Sequence, residues 1–161
     1  MRFFAPFVLA LMIISCTSND PASLCERFFE PYPDHVSDRQ RNGLNADFLD
    51  AMVLYSDGDY EAAIIGLQRV LDKDAGNSTA RMYMASAQLA AGRPYKAEMH
   101  LDFMEKYKDR SYADQVEWYD ALCWLCEGDT AKAAQQALWI ASRPHTYKKR
   151  AGELAKAISN K

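Results

Sequence analysis

The sequence predicts an all-α fold, and three observations carry the prediction. A helix, a glycine turn and a second amphipathic helix are written in YSDGDYEAAIIGLQRVL (55–71) and again in QLAAGRPYKAEMHLDFM (88–104). The copies keep one spacing: Gly58 and Gly92 are 34 residues apart, as are Ala51 and Ala85, Ala63 and Ala97, and Leu67 and Leu101. A third copy follows at Gly128, 36 residues beyond Gly92, with Ala121 before it and Ala133 after it at the offsets of the first two. A single helical hairpin cannot bury its apolar face alone, so a chain that writes one three times is expected to stack them.

In chain order, helices are expected over 44–56, 60–73, 78–91, 94–107, 112–126, 129–142 and 146–159. Gly58, Gly92 and Gly128 each supply the left-handed conformation that ends a helix. Pro94 falls in the first turn of its helix, where the missing N–H costs little. Asp72-Lys73-Asp74-Ala75-Gly76-Asn77 closes the first copy with breakers, and Lys108-Asp109-Arg110-Ser111 reads as loop. Ala51, Ala85 and Ala121 let the second helix approach the first, and Ala63, Ala97 and Ala133 do the same from the other side. The last helix carries Tyr147, Ala151, Leu154, Ala155 and Ile158 at helical spacing and has no partner after it. It is expected to cap the array, with Lys148, Lys149 and Arg150 as its polar outer face.

A helical hairpin recurring every 34 residues resembles the tetratricopeptide repeat, TPR. The resemblance covers most of the chain and implies a right-handed α-solenoid over 44–161. Its three TPR-like hairpins would span about 44–77, 78–111 and 114–145, with a cap at 146–160. The chain departs from the family where a large aromatic is expected early in each first helix, for Asp47, Arg81 and Glu117 stand there. Ala75 and Asp109 stand where a proline is expected.

In such arrays the first helices line a concave groove. The family's groove offsets give Phe48, Met52 and Tyr55 with Asn45, then Met82 and Leu89 with Thr79 and Ser86, then Trp118, Leu122 and Leu125 with Gln115. So apolar a lining marks a binding site or a covered surface. The Lys, Arg and Asn clamp with which some members hold a C-terminal carboxylate is missing. Three readings stay open. The groove takes an apolar helix or extended peptide of another envelope protein, or it is filled by the chain's own residues 24–33, or these side chains are core between helices. In the second, Phe28 and Phe29 are the plugs, and Pro31 and Pro33 hold the chain extended.

The N-terminus is of another kind. MRFFAPFVLALMIISC has one cation, Arg2, then an apolar run from Phe3 to Ile14, the layout of a signal peptide. Ile13-Ile14-Ser15-Cys16 resembles a bacterial lipobox. That implies removal of residues 1–15, diacylglycerol on the Cys16 thiol, and fatty acylation (palmitate) of the new amino terminus. Several acyl chains anchor stably where one binds marginally. Residues 16–43 would then be a lipid-tethered N-terminal segment, beginning with a polar, turn-rich stretch to Ser23. Thr17, not Asp, follows Cys16, which favours the outer membrane of the cell envelope.

The remaining signals exclude more than they assign. A net charge of −3 offers no basic field to nucleic acid. Cys123-Trp124-Leu125-Cys126 is a CxxC, but at a helix C-terminal end, where the partial charge opposes a thiolate. A disulfide from Cys25 to either of these thiols stays open. His35, His100 and His145 have no paired spacing, so no metal site is expected, and no catalytic constellation or cofactor motif appears. The chain therefore reads as a non-enzyme, a membrane-anchored lipoprotein scaffold for protein–protein interaction in an envelope assembly. The alternatives are a thiol–disulfide redox protein using Cys123 and Cys126, and a glycan-binding accessory lipoprotein.

Overall fold

The computed structural model describes residues 20–106 and 110–160. The expected signal segment, Cys16 and Asp109 lie outside the described residues. Among the described residues there are eight helices and no strand, so the fold is all-α. They are α1 Pro21–Phe28, α2 Ala46–Ser56, α3 Tyr60–Lys73, α4 Ser78–Ala90, α5 Pro94–Lys106, α6 Ala113–Glu127, α7 Thr130–Ala141 and α8 Lys148–Ser159. None of these helices is long and apolar enough to cross a membrane.

From α2 onward each helix packs on the next in sequence. The turns explain why. Gly58, Gly92 and Gly128 sit at φ of 79°, 71° and 89°, a region costly for any residue with a Cβ. The helix after the first and third of these turns is capped by the residue that follows the glycine: Asp59 accepts from the Ala62 amide and Asp129 from the Lys132 amide. The six alanines singled out by the repeat spacing are all 0–1% exposed. The first hairpin is the tightest: a Cβ on Gly66 would lie 2.7 Å from Cβ of Ala51.

The charged residues at the family's aromatic positions each join the first helix of a hairpin to its second or to the segment beside it. Asp47 pairs with Lys73, and Glu117 pairs with Arg143. Arg81 lays its guanidinium over the Phe103 ring at 3.6 Å and donates to the Ala75 carbonyl at 2.6 Å. A polar clasp thus stands where a packed ring was expected.

Two expectations for the ends of the chain need correction. Residues 21–23, read as turn-rich tether, are the first turn of α1: the Asp20 carboxylate caps it at the Ser23 amide, and Pro21 fits the first helical position. Arg150, read as part of a solvated outer face, turns inward on α8. It donates to the Phe28 carbonyl at 3.3 Å and to Glu30 Oε1 at 2.7 Å. Lys148 and Lys149 are exposed.

Candidate functional site

The first helices α2, α4 and α6 present a row of hydroxyls to an extended strap of the chain's own backbone. α1 packs on α6 and α8, and Cys25 on α1 is disulfide-bonded to Cys126 on α6. Phe29 then turns the chain extended, at φ −75° and ψ 131°. Residues 29–35 have no regular secondary structure, so their polar backbone groups need partners from elsewhere.

Side chains supply them. The Tyr119 hydroxyl donates to the Glu30 carbonyl at 2.8 Å. The Tyr55 hydroxyl donates to the Tyr32 carbonyl at 2.8 Å. The Tyr32 amide donates to Ser86 Oγ at 2.8 Å, and Ser86 lies 2.7 Å from the Tyr55 oxygen, closing a three-membered circuit. The Tyr83 hydroxyl donates to the Pro33 carbonyl at 3.0 Å and accepts from the His35 amide at 2.9 Å. Pro31 and Pro33 have no N–H to satisfy. Burial pushes the Tyr55, Tyr83 and Tyr119 phenols well above their ordinary value, so they stay protonated donors across the physiological range.

Tyr32 is the plug. Its ring lies 5.4 Å from Tyr83, 6.2 Å from Tyr112 and 6.3 Å from Tyr119, in tilted or edge-on contacts that suit aromatic quadrupoles. Leu24, Phe28 and Val36 are buried on either side of it, while Phe29 is only half-buried against the Tyr119 edge. At the strap's exit Asp34 caps the turn at the Val36 and Ser37 amides and accepts from the Ser56 hydroxyl at 2.6 Å. Burial alone would raise its carboxyl, but the hydrogen bonds from Ser37, Ser56 and the two amides outweigh that and hold it low.

Of the expected groove residues, Phe48, Met52, Tyr55, Met82, Leu89, Trp118, Leu122 and Leu125 are all buried, none above 8% exposure. Tyr55 and Ser86 touch the strap directly. Trp118 stacks on Tyr147 at 5.5 Å beside a small cleft that Phe28, Pro31, Pro33 and Arg150 also line. Sequence reading missed Tyr83, Tyr112 and Tyr119. Tyr83, between Met82 and Met84, carries a hydroxyl on an apolar stretch, a signal that a polar partner was needed; Tyr112 and Tyr119 stand beside polar residues and carry no such signal.

The cysteines resolve differently from a CxxC redox pair. Cys126 bonds Cys25 across 101 positions, and Cys123 is a buried free thiol whose pKa is driven up by burial and by the carboxylates of Asp120, Glu98 and Glu127. Asp120 is itself 4% exposed, its Oδ1 lacks a hydrogen-bond partner, and burial with Glu105, Asp102 and Glu98 nearby raises its pKa to about 8. No group of three or more potential ligands is placed to hold a metal among the described residues. The two tryptophans of α6 do not share a face: Trp118 is buried, and Trp124 donates from Nε1 to Glu98 at 2.6 Å.

The second helices carry large apolar side chains at the surface. Tyr95, Met99 and Phe103 form a one-turn-spaced stripe along α5, and Leu138 and Trp139 stand out from α7, all between 36% and 68% exposed. Compared with models of known families, with curated proteins and with solved structures, the chain matches none.

Proposed function

We propose that the chain is a lipid-anchored, TPR-like scaffold for protein–protein interaction in a bacterial envelope, held to the outer membrane through an acylated Cys16. Its helices would form three hairpins in a right-handed solenoid with α8 as the cap. Support for the solenoid comes from the sequential packing of α2 to α8 and the equivalent glycine turns. One observation carries the functional reading: side chains from three successive first helices hold an extended peptide by its backbone. An array that handles a peptide this way has the chemistry of a docking platform. The pairing of Cys126 with Cys25, beside a neutral Cys123, weighs against the thiol–disulfide alternative.

Two experiments test the reading. Metabolic labelling with a clickable palmitate analogue should mark the wild type and not Cys16→Ser. A photo-crosslinking residue placed at Tyr95, Met99 or Trp139 in living cells should give discrete adducts with one or a few envelope proteins, lost when Cys16→Ser releases the chain. Absence of label, or of any adduct from all three positions, would remove the anchor or the scaffold role respectively.

A further inference from the structure

The strap is held in a manner that does not depend on its belonging to this chain. Besides the side-chain ties of Glu30 to Arg150 and of Asp34 to Ser56, it is held through backbone atoms: the carbonyls of Glu30, Tyr32 and Pro33 and the amides of Tyr32 and His35. The one side chain of the extended stretch that the groove encloses is Tyr32, between two prolines that keep the backbone extended and present no N–H in need of an acceptor. The groove therefore reads a pattern, an extended tyrosine flanked by prolines. The covalent tie is separate from that recognition. Cys25 lies on α1, outside the extended stretch, and Cys25 and Cys126 are both only partly buried, within reach of a reductant.

From this geometry we propose that the groove is a latched docking site for a partner protein's extended Pro–Tyr–Pro segment, opened by reduction of Cys25–Cys126. This rests on the scaffold reading above and names the partner class and the control of the same site. In the opening step a dithiol reductant attacks one sulfur of the cystine. The S–S bond breaks, two electrons pass to the protein, Cys25 and Cys126 become thiols, and the reductant leaves as its own disulfide. Cys123 does not short-circuit the exchange, because it is buried and protonated. With the latch closed, the strap faces the groove at an effective concentration no free segment matches. With it open, a partner segment competes with the strap for the same hydroxyls of Tyr55, Tyr83, Ser86 and Tyr119.

The probe is a fluorescein-labelled peptide of the strap's own sequence, FFEPYPDHVS, which contains no cysteine. Binding to the full chain is read by fluorescence anisotropy, oxidised and after reduction, for the wild type and for Tyr32→Ala, which weakens the strap and leaves the groove intact. Oxidised protein should not bind, and reduced Tyr32→Ala should bind saturably. Ser86→Ala in the groove should weaken binding by about tenfold, the value of one or two hydrogen bonds, and replacing the peptide's tyrosine by alanine should weaken it at least as much, through lost ring burial. In parallel, hydrogen exchange of the Tyr32 and His35 amides in the wild type should speed up on reduction. No binding by reduced Tyr32→Ala with its helical circular dichroism retained would overturn the proposal, as would equal binding by the tyrosine-free peptide. Unchanged exchange at Tyr32 and His35 would do so without reliance on any variant. A failed peptide assay alongside discrete photo-adducts from α5 or α7 would sink the groove proposal alone and leave the scaffold standing.

Discussion

Helices α4 and α5 have thirteen residues each and are joined by one tight turn, yet they live in different surroundings. Nine residues of α4 are buried, and three of α5. α4 lies between α3 and α5 and has Tyr32 and the strap on its remaining side. α5 rests on α4 and α6 and shows its Tyr95, Met99 and Phe103 edge to solvent. The difference teaches that the two helices of a hairpin are under different constraints. In this pair the first helix must satisfy neighbours on nearly every side, while the second, packed on two helices, leaves one edge to solvent.

The sharpest way to break that comparison is to truncate a methionine on each. Met82→Ala, at 0% exposure on α4, should cost about 2–5 kcal/mol in urea unfolding, because the cavity adds to the lost burial. If it cost as little as a surface change, the first helices would not be the core. Next in size, Cys25→Ser with Cys126→Ser should lower stability by about 2–4 kcal/mol, since the bridge closes a long loop. Far-UV circular dichroism should keep most of its helical signal, as α2 to α8 pack without it.

Asp120→Asn probes the first-helix side by pH. The Asp120 carboxyl is raised from 3.8 to about 8, so between those values the unfolded chain has lost a proton that the folded chain keeps. Its contribution to stability is present below about pH 4 and declines as pH rises toward 8, then levels off. The Asn variant should therefore gain about 1–3 kcal/mol over the wild type at pH 9, where a buried carboxylate is otherwise left charged, and lose that advantage near pH 4. A parallel pair of stability–pH curves would contradict the burial of that carboxyl. Smallest of all, Met99→Ala on the exposed edge of α5 should stay within about 0.5 kcal/mol in the same urea titration.

The same contrast explains what could be read from sequence. Helix bounds from 44 onward were legible to within about two residues, because left-handed glycines and capping Asp and Asn residues act locally. The rotation of α4 was not. Met82, Tyr83, Met84, Ala85, Ser86 and Ala87 are all buried, so no apolar stripe distinguishes one face from another. The groove offsets therefore pointed to Met82, whereas the strap meets Tyr83, one residue and about 100° further round. Ser86 and Tyr55 were in the expected lining because their offsets belong to both faces of the packing. α1 was missed for a different reason: Asp20 and Pro21 serve turns and helix starts alike, and what makes them a start is the α6 and α8 surface waiting for Leu24 and Phe28. Among Cys25, Cys123 and Cys126 the bridging pair depended on that docking, which spacing does not encode.

The cystine also decides how the molecule bears load. Tension applied at Asp20 enters α1, crosses through sulfur at residue 25 and arrives on the third hairpin at residue 126. Everything from α2 to α5 hangs outside that line of force, so a chain tugged from its amino end strains its last hairpin while the first two stay slack.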